Sequence, residues 1–148
     1  METRIRGLLQ TQRNLEKVAA DLDGEPMVRV MRDATLIIAA DAKRNVPVDT
    51  GRLKSSIHPE IRRDRVLQGV VGSVVKYAPY VETGTRPHMP PPAALQTWAR
   101  RHGANAWAVA LAIRARGTKA HRYLQRAVEA NRARIFRMFD AAVGRITR

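Results

Sequence analysis

The chain has 148 residues and a formal net charge of +14, from 27 lysines and arginines against 13 acidic residues. It contains no cysteine, which excludes disulfides, thiolate metal sites and a cysteine nucleophile. No apolar run approaches the roughly 18 residues of a membrane span, and the charged N-terminus is unlike a signal peptide.

The first two predicted elements are helices. Apolar residues recur at helical spacing within residues 1–24, at Ile5, Leu8, Leu9, Leu15, Val18 and Leu22. Gly24 ends this helix, and Pro26 is expected to open a second one, because proline fits the first turn of a helix. The second helix stops before Pro47, since the residue before a proline disfavours helical backbone angles. The residues it is predicted to bury are Val30, Met31, Ala34, Ile37, Ile38 and Ala42.

Two strands are predicted next, because the hydrophobic period changes after Pro47. The alternating residues of the first strand are Leu53, Ser55, Ile57 and Ile61. Pro59 within it indicates an edge strand or a bulge. After a polar turn at residues 62–65, residues 66–75 (VLQGVVGSVV) predict an antiparallel partner. Gly69 and Gly72 indicate a bulge or a close backbone approach there.

A proline-rich arm, residues 76–92, follows the strands and is expected to contain one helical turn near residues 80–82. Short helices are predicted from residue 92 or 93 to His102 and from Asn105, as the cap, to Ala115. Gly103 and Gly117 end these helices. Trp98 and Trp107 are expected in the core. A final helix spans residues 120–143, with an apolar face of Tyr123, Leu124, Ala127, Val128, Ile135, Met138, Phe139 and Ala142.

This order of elements predicts an α+β fold of one domain, residues 1–148. A small antiparallel sheet packs against a long N-terminal helix and a long C-terminal helix, with short helices between them.

The sequence offers no convergent catalytic constellation, and we expect no enzyme, no metal site and no cofactor. The four histidines lack metal-ligand spacing, and there is no nucleophile elbow or phosphate-binding loop. Asp49 and Glu82 are the carboxylates to consider for acid–base chemistry. However, an Asp before Thr50 and Gly51 is typical of a helix cap or an Asx turn, which is the interpretation we favour.

The positive charge is concentrated beyond Ala94. The last helix carries a basic surface, Arg122, Arg126, Arg132, Arg134 and Arg137, which suits non-specific contact with phosphates. A solvated helix face is the competing interpretation, and no helix-turn-helix, zinc-finger or aromatic RNA-binding signature accompanies the charge.

Four stretches of the sequence carry a family resemblance. They are VPVDTGRLKSSI (46–57), VGSVVKYAPYVETGT (71–85), RPHMPPPAAL (86–95) and RGTKAHRYLQRAV (116–128). In their order and spacing they resemble the neck and tail-completion family of long-tailed bacteriophages, the group that includes the lambdoid minor tail protein Z. The resemblance runs from about residue 30 to residue 128.

The resemblance implies a virion structural protein at the head–tail interface of a tailed phage or a related gene-transfer particle. It implies a ring, sixfold or twelvefold, assembled in the host cytoplasm and carried in the neck or tail of the virion. The implied partners are other copies of the chain, head-closure or connector proteins, and tail-terminator or tail-tube proteins, with non-specific DNA contact in the lumen as the lesser expectation and no membrane. A small basic nucleic-acid-binding protein is the alternative.

The same stretches suggest two sets of functional residues. The first is a structural corner, Asp49, Thr50, Gly51 and Arg52, in which Gly51 supplies a permissive backbone angle and Asp49 and Thr50 satisfy loose amides. Arg52 is free to pair with a carboxylate, and Glu82 is one candidate. The second is an interface on the arm, where exposed aromatic residues lie beside rigid prolines. Its residues are Tyr77, Tyr80, Glu82, Thr85, Arg86 and Pro87.

Overall fold

The computed structural model describes residues 2–22 and 24–147, and the side chains of residues 2–10 and Leu22 lie outside that description. The described residues form seven helices and two strands, and the fold is α+β, as the sequence predicts. In chain order the elements are α1 (Glu2–Leu22), α2 (Glu25–Asn45), α3 (Arg52–Ser56), β1 (Ile57–Arg63), β2 (Leu67–Ser73), α4 (Ala78–Thr83), α5 (Pro92–Arg101), α6 (Ala106–Arg116) and α7 (Tyr123–Ile146).

Helix α1 makes fewer contacts with the rest of the fold than α2 does. Of the apolar residues at helical spacing, Val18 is half-buried and Leu15 is 65% exposed. The other predicted apolar side chains of this helix, Ile5, Leu8, Leu9 and Leu22, lie outside the described residues.

Helix α2 is the centre of the fold and contacts α7 and both strands. It begins one residue before Pro26, with Gly24 as its N-cap, and ends before Pro47 as predicted. The predicted stripe is largely confirmed: Val30, Ala34 and Ala42 are buried, and Met31, Ile37 and Ile38 are half-buried. The stripe is wider than predicted, and its further buried residues are Val28, Thr35 and Ala39.

The first strand is shorter than the sequence pattern suggested. Leu53 and Ser55 belong to α3 and not to β1, so their strand assignment is wrong. The reason is Gly51, whose φ of 80° turns the chain so that the Ser55 amide bonds to the Gly51 carbonyl at 2.9 Å. Leu53 is still buried, but from a helical turn.

The two strands pair in one uninterrupted antiparallel register, from Ile57 opposite Ser73 to Arg63 opposite Leu67. Pro59 is tolerated without a bulge, since each strand of a two-stranded sheet is an edge strand. A Cβ on Gly69 would lie 2.5 Å from Thr35 Cγ2, so this glycine marks the predicted close approach, here to α2. Gly72 has open space around it.

One hydrophobic core joins α2, α3, β1, α4 and α7. Its buried residues are Ala39, Ala42, Val46, Leu53, Ile57, Ala78, Tyr123 and Ala127. On α7, Tyr123, Ala127 and Ala142 are buried as predicted, whereas Val128 is 46% exposed and its prediction is wrong.

Helices α5 and α6 pack against each other through small residues, because Ala99 and Ala110 are buried. Trp98 and Trp107 stay 38% and 57% exposed, so their prediction as core residues is wrong. Asn105 caps α6 as predicted: its side-chain oxygen accepts from the amides of Trp107 and Ala108 at 2.9 and 3.1 Å.

Candidate functional site

An open groove of about 1000 Å³ lies where the structural corner, the arm and α5 meet. One wall is the corner segment 47–53, and the others come from α4, from residues 85–90 of the arm, and from α5 and the segment before α7. Tyr77 and Tyr80 line it from the start of α4, and Trp98 and His102 line it from the end of α5. The groove thus brings together the corner and most of the predicted interface residues.

Asp49 joins the corner to α5. Its carboxylate accepts two hydrogen bonds from the Arg101 guanidinium, Nε to Oδ1 at 2.9 Å and Nη2 to Oδ2 at 2.5 Å. His102 Nε2 lies 3.1 Å from the same Oδ1, and its ring stacks on Trp98 with centroids 4.5 Å apart. The Arg101 hydrogen bonds hold the pKa of Asp49 below its ordinary value.

The structure therefore corrects the predicted roles of the corner residues. Asp49 and Thr50 satisfy no loose amide, because the N-cap of α3 is Gly51 and it has no side-chain cap. The candidate ion pair between Arg52 and Glu82 is not formed, and both oxygens of Glu82 bind amides of α7 instead. The expected backbone angle of Gly51 is confirmed.

Thr85 ties the arm to the segment that precedes α7. The amides and carbonyls of Thr85 and Thr118 pair as an antiparallel bridge with N–O distances of 3.2 and 3.3 Å. Their hydroxyls lie 3.0 Å apart. Gly84 and Gly117, one on each side of the bridge, have φ values of 73° and 72°. The arm is thus fixed at Thr85, while Tyr77, Tyr80, Arg86 and Pro87 are exposed.

Glu82 caps α7 from a distant part of the chain. Its Oε2 accepts from the Leu124 amide at 2.9 Å, and its Oε1 accepts from the Gln125 amide at 3.0 Å. A carboxylate suits this position, because the free amides of the first helical turn carry partial positive charge. Sequence reasoning missed this role, since cap signals are sought among residues next to the helix.

Replacing Glu82 by alanine is expected to lower the free energy of unfolding by about 1–2 kcal/mol, because two amides of α7 lose their acceptor. Glu82→Gln keeps one acceptor oxygen and should lose less. Urea unfolding of the purified variants measures both effects. Glu129→Ala, which removes an exposed carboxylate bonded to Gln125 within the same helix, is the matched control. Equal losses in Glu82→Ala and Glu129→Ala would contradict the capping role.

The basic surface of α7 is exposed but is not one patch. Arg126 and Arg137 lie about three turns apart on the same side of the helix. The prediction that Arg122 belongs to this helix is wrong, because α7 begins at Tyr123 and Arg122 before it has a φ of 51°. Arg132 lies instead over the Phe136 ring, 5.6 Å from its centroid. The fifth residue, Arg134, is exposed about one turn before Arg137.

The two carboxylates considered for acid–base chemistry, Asp49 and Glu82, are both hydrogen-bonded to groups of the same chain. Among residues 2–22 and 24–147, no cluster of three or more histidine or acidic side chains could hold a metal ion. Within the same residues, no helix is long and apolar enough to span a bilayer.

A comparison with protein families found a match to a family of phage proteins. The model of the Bacteriophage HK97-gp10 tail-component family matches residues 10–84, which is half of the chain. The match covers α2, the corner, the hairpin formed by β1 and β2, and α4. It includes Tyr77, Tyr80 and Glu82 and ends just before Thr85. Comparisons with curated proteins and with solved structures gave no match.

Proposed function

Because this chain belongs to the HK97-gp10-like family of bacteriophage tail components, we propose that its copies form a ring at the head–tail interface of the virion. In this role the protein joins or completes the neck and performs no catalysis. The family match over the central helix, the corner and the hairpin is the observation that carries the proposal.

One feature of the fold supports an assembly role. Tyr77 and Tyr80 are 42% and 60% exposed beside rigid prolines of the arm. An arm of this kind loses little conformational entropy when it docks, so more of its contact energy is retained. Three or more copies related by one rotation axis use two different surfaces in each contact, and such contacts form a ring when the rotation closes.

The positive charge supports docking to an acidic neighbour in the neck. Arg126 and Arg137 lie on one side of α7, Arg122 lies just before the start of the helix, and no described carboxylate pairs with these three. An acidic connector or tail-tube ring is the partner that this surface fits best. DNA passing through the lumen is the second candidate, because exposed arginines contact phosphates without sequence preference.

Cryo-electron microscopy of purified particles tests the location. We expect a ring of this chain between the head and the tail tube, fitted by the α2–hairpin–α7 unit. Particles made without the gene should accumulate as separate filled heads and free tails. Joined virions in its absence, or density for the chain only at the distal end of the tail, would overturn the proposal.

A further inference from the structure

The groove exposes aromatic side chains that a solitary protein normally buries. Tyr77, Tyr80 and Trp98 line it and are between 38% and 60% exposed. The whole sequence has only seven aromatic residues, two Trp, three Tyr and two Phe, so three of them face one depression. Clustered exposed aromatics in a concave surface are typical of a protein interface.

The groove is also positively charged. Arg52, Arg86 and Lys119 line it, and none of them pairs with a described carboxylate. The one acidic residue in the lining, Asp49, is already neutralised by Arg101. A segment that enters the groove therefore meets uncompensated cations, and an acidic segment fits best.

The chain itself contains such a segment, at the junction between α1 and α2. Three acidic residues lie close together here, Asp21, Asp23 and Glu25, and residues 18–28 contain no lysine or arginine. Every other set of three successive acidic residues in the sequence has a lysine or an arginine within it. Glu25 is exposed at the start of α2, Asp21 is half-buried, and Asp23 lies outside the described residues. The last turn of α1 has no basic residue to offset the negative end of its dipole.

The junction and the groove lie at opposite ends of α2. This helix has 21 residues and is about 30 Å long, and the corner follows its last turn directly. The junction of one copy therefore cannot enter its own groove. It can enter the groove of a neighbouring copy, and a contact between two different surfaces is the kind that closes a ring.

From this arrangement we propose that the groove of each copy receives the α1–α2 junction of the next copy. Glu25 and Asp21 meet Arg86, Arg52 and Lys119. This inference rests on the proposed ring and names the contact between its subunits.

Cross-linking tests the contact, because the chain has no cysteine of its own. A size-tagged copy carries Pro26→Cys, next to Glu25, and an untagged copy carries Pro87→Cys, next to Arg86. Both prolines are exposed, and the charges are kept. Oxidation of the concentrated mixture, and of particles assembled from it, should give the mixed disulfide dimer. A partner copy with Gln68→Cys, exposed on the distant hairpin, is the matched control.

Charge reversal then tests the chemistry. Arg86→Glu with Lys119→Glu in the groove copy should lower the yield of mixed dimer about tenfold, since like charges then meet. Asp21→Lys with Glu25→Lys in the junction copy should do the same. Combining the two reversed copies should restore the yield. Circular dichroism of each variant establishes that it is folded.

Three results would overturn the inference. The first is a mixed dimer no more abundant than that of the Gln68→Cys control, in solution and in particles. The second is a yield of mixed dimer from the two reversed copies together that is as low as the yield from either reversed copy alone. The third is cross-linking of Pro87→Cys to another virion protein in place of the junction. A neck ring seen by microscopy together with any of these would keep the proposed function and remove only this contact.

Discussion

Replacing Gly117 by alanine is expected to destabilise the fold by about 3–5 kcal/mol. Gly117 has φ 72° and ψ −160°, a region that is essentially restricted to glycine. An added Cβ would also collide with the Thr85 carbonyl oxygen and lie 2.9 Å from the Arg86 carbonyl carbon. These are backbone atoms, so relief requires that the bridge between Thr85 and Thr118 separates.

Guanidinium unfolding of Gly117→Ala measures this loss, and two other glycines provide controls. Gly103 also has a positive φ, 62°, but a Cβ added there would meet nothing within 4 Å, so Gly103→Ala should cost only about 1 kcal/mol of backbone strain. Gly72→Ala meets neither obstacle and should be close to neutral. If Gly117→Ala were as stable as Gly103→Ala, the bridge between Thr85 and Thr118 would make room for the added Cβ at no measurable cost, and the prediction would be contradicted.

Tyr123→Ala is expected to cost about 3–5 kcal/mol, because Tyr123 is 1% exposed and fills the core beneath the start of α7. Tyr123→Phe should behave differently. The phenol oxygen is buried with no hydrogen-bond partner among the described residues, so removing it should be neutral or stabilising by up to about 1 kcal/mol. Burial, and secondarily the charge of Glu82, raises the pKa of this phenol above its ordinary value.

The free energies of unfolding of both Tyr123 variants in urea check this prediction. Tyr80→Ala is the matched control, because Tyr80 is 60% exposed and should leave stability nearly unchanged. A loss in Tyr123→Phe close to that of Tyr123→Ala would mean that the hydroxyl, and not the ring, stabilises the core.

Local signals in the sequence located most of the elements. Pro47 and Gly117 mark helix ends, and the Asn105 cap lies within three residues of the amides it binds. The error at Leu53 has a local cause as well, because alternation over a few residues fits a strand and a helical turn equally well. Gly51 decided between them through its backbone angle.

The groove was only partly predictable. The sequence predicts exposed aromatics at Tyr77 and Tyr80 on the proline-rich arm, and the structure confirms that both are exposed. The contacts that build the walls join distant positions: Asp49 binds Arg101 across 52 residues, and Glu82 reaches Leu124 across 42. No periodicity or capping rule reports such pairs. The exposure of Trp98 also depends on a tertiary contact. The buried residues between α5 and α6 are the small Ala99 and Ala110, and the Trp98 indole remains exposed.

The bridge between Thr85 and Thr118 also has a consequence for how this family can diversify. It holds the two ends of segment 86–117 side by side, so that the chain leaves the core and returns to it at a single point. Changing the length of a closed loop costs little entropy, about 0.6 kcal/mol for each doubling. Insertions and deletions in the α5–α6 hairpin can therefore reshape one wall of the groove while the core keeps its packing.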